Sequence, residues 1–201
     1  MKRIHTNKSR SLLRRRGFTL IELIVTIAVV AILAALAGPS IDLLARRVRL
    51  DSDTERFLTS LAYARSEAIK RSSVVSVIPS AGGYSAGWRV ATDDGALNPN
   101  CTVDSAQGES VLRVQDPLAA SSEVFVAEAP AGASTAVDCS TAAAAPPSCI
   151  SYKRDGSAIR VDGSVLANTF CLRDRSSPAN MYRAVVINST GQAYLTKTKD
   201  Y

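Results

Sequence analysis

Arg14-Arg15-Arg16-Gly17-Phe18-Thr19-Leu20-Ile21-Glu22 decides how the rest of the chain reads. Three arginines close a basic leader, a glycine follows, and an apolar run begins at once. One carboxylate, Glu22, sits inside that run, five residues after the glycine. A charge at mid-bilayer costs about 2.5–3.5 kcal/mol on insertion scales, so one kept there is expected to have a partner and a purpose. The run Phe18 to Ala37 is 20 residues long, which suits a membrane-spanning helix. It exceeds the roughly 7–15 residues of a secretory signal peptide's core, although Ala35-Leu36-Ala37 fits the A-x-A cleavage pattern of such peptides. Glu22 inside the run also counts against a signal peptide.

This junction resembles the prepilin signature of type IV pilins and of the pseudopilins of type II secretion. The resemblance implies that a prepilin peptidase cuts after Gly17 and that the new first residue, Phe18, is N-methylated. It also implies that Glu22 pairs with the terminal amine of a neighbouring subunit during assembly. A buried carboxylate and a buried ammonium are each costly alone and tolerable together, so such a pair would set register between packed helices. Residues 1–17 then read as a leader and 18–40 as a transmembrane and assembly helix. Residues 41–71 read as an amphipathic helix, and 72–201 as a β-rich exported domain. The expected fold is α+β and pilin-like, a long N-terminal helix packed on an antiparallel sheet domain.

The net charge of +6 misleads. Seven Lys/Arg lie in residues 1–17, leaving 17 basic and 18 acidic residues in the processed chain. The basic excess is a topology signal that keeps the N-terminus cytoplasmic, with the domain after the anchor periplasmic. Within the processed chain, residues 18–71 sum to +1, 72–149 to −6 and 150–201 to +4. An anionic partner would therefore meet the C-terminal quarter, where a solvated face is the plainer explanation. The 130 or so residues beyond the helix suit one globular domain.

Cys101, Cys139, Cys149 and Cys171 all lie in the exported part, and an even count in an oxidising compartment reads as two disulfides. Four cysteines allow three pairings. Cys139–Cys149 closes a small loop and leaves Cys101–Cys171, which is the expectation carried forward. No C-x-x-C spacing exists, and His5, the one histidine, lies in the leader. A Ser-His-Asp triad and histidine metal sites are thereby excluded from the processed chain. No cofactor, metal site or enzymatic activity is expected. Asp93-Asp94 precedes Gly95 and reads as turn chemistry rather than an acid pair.

Residues 18 to about 71 read as one helix, apolar all round at first, which straight would reach roughly 80 Å. Gly38-Pro39 is expected to interrupt it, because proline removes a backbone hydrogen bond and clashes with the preceding turn. The resemblance implies the same, since pilins carry a helix-weakening residue near this place. Beyond Ser40, Leu44, Val48, Phe57, Leu61, Ala64 and Ala68 recur near every third or fourth residue as a core stripe. Strands are then expected at 74–78, 84–91, 111–114, 124–126, 150–152, 157–161, 169–172, 184–188 and 193–196. Turns are marked by Asp155-Gly156, Asp162-Gly163 and Thr190-Gly191. Residues 129–148, rich in Ala, Ser, Thr and Pro, read as a surface loop.

The segment Phe57 to Arg71, with Ala64-Arg65-Ser66-Glu67-Ala68-Ile69-Lys70-Arg71 at its end, resembles the GspH/FimT branch. So do the strand 74–78, the Gly87-Trp88 strand ending in Asp94, and the later segments at 150–156, 169–172 and 184–191. The branch implies a minor pilin or pseudopilin, a structural subunit of a type IV pilus or a type II secretion pseudopilus. Its partners would be other pilins or pseudopilins, the prepilin peptidase and an inner-membrane assembly platform. Some members bind DNA through a Gly-Arg-x-Arg motif in the last turn. The matching place here reads Gly191-Gln192-Ala193-Tyr194 and lacks both arginines. Arg173, Arg175, Arg183, Lys197 and Lys199 remain as candidate phosphate contacts, so DNA binding for natural transformation is the alternative and is not favoured.

Overall fold

The computed structural model describes residues 17–93, 99–127, 139, 146, 148–176 and 181–196, with 35–40 described in backbone only. The first element is α1, Leu20–Arg71. The chain divides into two units, Met1–Asp42 and Leu43–Tyr201. The first contributes the apolar beginning of α1. Every large apolar side chain described there, from Phe18 to Leu33, is exposed. The backbone of α1 stays helical through Gly38-Pro39, so the expected interruption is not found. A proline costs the ladder one hydrogen bond, and the bonds on either side carry the helix past it. Among the described residues no helix is long and apolar enough to cross a membrane.

In the second unit the rest of α1 packs against nine strands among the described residues. These are β1 (Val74–Ser80), β2 (Gly83–Asp93), β3 (Val111–Gln115), β4 (Ser122–Ala127), β5 (Ile150–Tyr152), β6 (Ala158–Ile159), β7 (Asn168–Asp174), β8 (Tyr182–Ile187) and β9 (Ala193–Thr196). The expected single sheet is two antiparallel sheets, ordered β3-β2-β1-β5-β6 and β4-β7-β8-β9. Strand β1 is buried from Val74 to Ile78 because both its faces are covered. Val75 and Val77 face the main core, and Ile78 faces a smaller cluster with Ala91 and Cys149. Pro79 continues β1, where its lost N–H is harmless, since β5 pairs only with Val75 to Val77.

The core stripe of α1 starts later than its sequence pattern implies. Leu44 and Val48 are 61% and 58% exposed, and burial begins at Leu50. From there Phe57, Leu61, Ala64 and Ala68 are fully buried at helical spacing. Phe57 is the hub, with ring centroids 5.6 Å from Tyr84, 5.5 Å from Trp88 and 5.7 Å from Phe170. Tyr84 and Trp88 belong to the first sheet and Phe170 to the second, so one helical side chain joins both. Each such pair adds about 0.5–1.5 kcal/mol beyond burial.

The helix ends in a left-handed residue, Ser72 (φ 53°). Ser73 N–H reaches the Ala68 carbonyl at 3.3 Å and Ser72 N–H the Ile69 carbonyl at 3.3 Å. That is the Schellman pattern, which satisfies carbonyls left over at a helix end.

Candidate functional site

Gly17, Phe18 and Thr19 precede the helix, and all three are exposed. Phe18 is 81% exposed, and a Cβ on Gly17 would touch nothing within 4 Å. The Thr19 hydroxyl accepts from the Glu22 backbone N–H at 3.3 Å, and the Thr19 carbonyl accepts from Leu23 N–H at 3.2 Å. Thr19 is therefore the N-cap. Thr19-x-x-Glu22 has the capping-box spacing, a local signal that the family resemblance overshadowed. The Glu22 carboxylate stands in the first turn, where the helix dipole favours negative charge. It is exposed, among exposed apolar neighbours Ile21, Leu23 and Val25. The geometry offers one anion to whatever covers this apolar surface.

The other end of α1 explains the Arg65 to Arg71 segment. Arg65 Nε donates to the Gly156 carbonyl at 2.9 Å, and Arg65 Nη2 donates to the Thr190 carbonyl at 3.3 Å. One arginine thus pins two β-turns to the helix. Both turns rely on glycine. A Cβ on Gly191 (φ +76°) would lie 2.1 Å from the Gly156 carbonyl oxygen, and one on Gly156 (φ +82°) 2.9 Å from Ile69 Cδ1. Asn188 Oδ1 accepts from the backbone of Thr190 at 3.1 Å and of Gln192 at 2.8 Å, shaping the last turn. Glu67, buried two residues further along the helix, accepts from Arg71 Nε at 2.6 Å and faces Lys70 Nζ at 3.6 Å. The Arg71 hydrogen bond holds its carboxyl below the usual carboxylate range.

A second tie lies midway along the helix. Asp53 is buried, and its Oδ2 accepts from Ser122 Oγ at 2.7 Å and Ala119 N–H at 3.2 Å. Oδ1 faces Arg56 at 3.3 Å. The carboxylate thus fastens the β3–β4 connection to α1 at no unpaired-charge cost. Arg46 turns toward Ser176 and, at 3.8 Å, Asp174.

The cysteines pair as Cys101–Cys149 and Cys139–Cys171, with Cα atoms 5.5 and 5.9 Å apart. The expected pairing is therefore wrong, and strand alternation gives the reason. Cys171 lies on the face of β7 turned away from the main core, beside Phe125, Cys139, Tyr182 and Ala184. Cys149 packs with Cys101, Ile78 and Ala91 on the corresponding face of the first sheet. Each bond stays on one sheet, whereas Cys101–Cys171 would have to join the outer faces of two different sheets.

Three of the five candidate phosphate contacts are engaged within the chain. Glu123 accepts from Arg173 Nε at 2.8 Å and Arg175 Nε at 2.7 Å, and also pairs with Arg175 Nη2. The Arg175 hydrogen bond, then that of Arg173, holds the Glu123 carboxyl down at about 2. Arg183 Nε bonds Asp51 Oδ1 at 2.5 Å. Lys197 and Lys199 lie outside the described residues. So do Asp94 and Gly95 and most of 129–148, while Asp93 ends β2, buried, and accepts from Ser76 Oγ at 3.1 Å.

The chain's likenesses agree with this geometry. The family described as type II transport protein GspH matches residues 53–191, and the prokaryotic N-terminal methylation motif matches residues 12–38. No curated protein sequence matches the chain. Among solved structures it is similar to the type IV minor pilin FimU of Pseudomonas aeruginosa, with 18% identity and a TM-score of 0.51 over 76% of this chain and 92% of that one. It is also similar to the minor pseudopilin EpsH from the type II secretion system of Vibrio cholerae, with 11% identity and a TM-score of 0.48 over 78% and 99%. With FimU the shared property is the fold, a helix on antiparallel sheets. The matched region spans more than half of the 201 residues, from the buried Asp53 to the Gly191 turn, and the chain belongs to the GspH family.

Proposed function

We propose that this chain is a minor pilin or pseudopilin, a non-enzymatic structural subunit of a type IV pilus or a type II secretion pseudopilus. The observation that carries the reading is the exposed apolar start of α1 with Glu22 in its first turn, inside the match to the methylation motif. A prepilin peptidase cuts after Gly17, and Phe18 becomes the N-methylated first residue. Residues 18–40 hold the processed chain in the inner membrane, with its N-terminus cytoplasmic and its domain periplasmic. An assembly platform then extracts it into a filament of other pilins or pseudopilins. There the Glu22 carboxylate meets the amine of a neighbour, each charge cancelling the other's desolvation cost. Arg173, Arg175 and Arg183 serve the fold through Glu123 and Asp51, so three of the five candidate phosphate contacts are already paired within the chain.

The test is Glu22→Ala in cells carrying the cognate machine. Insertion and processing continue, while the variant is missing from sheared filaments. Incorporation at the native level would refute the pairing role.

A further inference from the structure

A chain of buried polar side chains crosses the first sheet and ends at a disulfide. Ser76 on β1 donates to Asp93 Oδ2 on β2 at 3.1 Å, and Ser76 Oγ lies 2.7 Å from Ser151 Oγ on β5. Ser151 Oγ in turn lies 3.4 Å from Cys149 Sγ. A serine hydroxyl holds one proton. That of Ser76 goes to Asp93, so Ser76 accepts from Ser151, and the Ser151 proton is the one able to turn between Ser76 Oγ and the sulfur. The cysteines also differ in reach. Cys139, Cys149 and Cys171 are buried, whereas Cys101 is half-buried. Cys101 has φ 59°, a left-handed conformation that a residue with a side chain adopts at a cost.

We propose that Cys101 Sγ is a site of thiol–disulfide exchange with a dithiol, and that the Ser151 hydroxyl assists the departure of Cys149. A thiolate of the dithiol bonds to Cys101 Sγ as the Cys101–Cys149 bond breaks. Cys149 leaves with the electron pair, and the Ser151 O–H turns from Ser76 to donate to it. Exchange is faster when the leaving sulfur is stabilised and when the attacked one is accessible. The second sulfur of the dithiol, as a thiolate, then attacks the first and releases Cys101. The dithiol is oxidised to its disulfide, the two cysteines are reduced, and its two protons reach the two thiols through solvent. Attack on Cys149 would have to pass through the cluster it shares with Ile78 and Ala91. Cys139 and Cys171 are closed to the same attack, both buried with Phe125, Tyr182 and Ala184. Opening the first bond lets Cys101 and Val103 part from Ile78 and Ala91. The connection from β2 to β3 is thus held or released by redox state.

The test uses the full folded chain in detergent, without denaturant. The monothiol mercaptoethanol leaves its mark on whichever sulfur it attacks, and mass spectrometry of acid-quenched digests locates that mark. At the earliest times it is expected on Cys101. Under dithiothreitol the Cys101–Cys149 bond should open while Cys139–Cys171 stays closed. Ser151→Ala should slow the opening about tenfold at the same pH, the share of one hydrogen bond to a charged group, with Cys139–Cys171 unaffected. A serine that only supported the fold would give the opposite sign, since its loss would loosen the sheet and hasten the opening. A mark on Cys149, or equal opening of both bonds, overturns the exchange site. Unchanged or faster opening in Ser151→Ala overturns the role of Ser151. The mark is read on the native chain, so it decides the site even where Ser151→Ala does not fold.

Discussion

Replacing Gly191 by alanine tests the contact that ties the last turn to the helix end. Gly191 has φ +76°, and its added Cβ would meet the Gly156 carbonyl oxygen at 2.1 Å, Ala158 N at 2.8 Å and Ser157 C at 3.0 Å. All three are backbone atoms, so no side chain can swing aside. The turns must separate, and Arg65 then loses its bonds to Gly156 and Thr190. The left-handed conformation costs alanine about 1–2 kcal/mol. Hydrogen bonds to a charged group contribute about 1.5 kcal/mol each at the lower end of their range. The sum is about 4 kcal/mol. Gly83 supplies the control, since it has φ +80° but an added Cβ would touch nothing within 4 Å. Gly83→Ala should cost only the conformational part, about 1 kcal/mol. Urea unfolding of the full chain in detergent, followed by the fluorescence of Trp88, reads both variants against the native protein. Equal costs at the two positions would show that the turns do not press on each other and would refute the staple.

Three further outcomes are expected. Digestion without reduction should release peptides joined Cys101 to Cys149 and Cys139 to Cys171. Removing either bond should cost about 4 kcal/mol, because the bridged residues are 48 and 32 apart and longer loops lose more entropy in the unfolded chain. The Glu123 carboxyl is depressed from 4.5 to about 2, so its contribution is complete above pH 4.5 and disappears as pH falls toward 2. Taken at face value the depression is worth about 3 kcal/mol, but Arg175 is mostly exposed and solvent screening reduces this to about 1 kcal/mol. Glu123→Gln should therefore lower the urea midpoint at neutral pH and match the native protein near pH 2. A constant difference across that range would refute the pairing.

Much of this architecture is legible in the residues. The change from a 3.6-residue to a two-residue apolar rhythm at Ser73 locates the end of the helix, and β-branched runs between Asp-Gly and Thr-Gly turns mark the strands. What sequence reasoning misses depends on contacts between distant segments. Leu44 and Val48 continue the apolar rhythm, yet both are exposed, so periodicity alone overextends the core. Cysteine pairing depends on which face of which sheet each thiol occupies, and the shortest loop carries no such information. Arg173, Arg175 and Arg183 look like an open basic surface in the sequence. Their carboxylate partners, Glu123 and Asp51, lie 50 to 132 residues away in the chain.

The distribution of charge argues for a subunit whose polar groups are spent on holding itself together. Asp53 fastens the β3–β4 connection, Arg65 fastens two turns, and Glu123 and Asp51 hold the arginines of the second sheet. Each joins distant segments, and replacing one partner leaves the other in need of a new contact. Glu22 is different in kind. Its carboxylate stands at the exposed, apolar end of the helix, and among the described residues the contact made at Glu22 is its backbone N–H to the Thr19 hydroxyl. Under the role proposed above, a neighbouring subunit would complete the Glu22 carboxylate, which stands on an uncovered apolar stretch of helix. A filament subunit needs such an unanswered charge at its contact face, which is why the proposed role turns on the stretch Arg14 to Glu22.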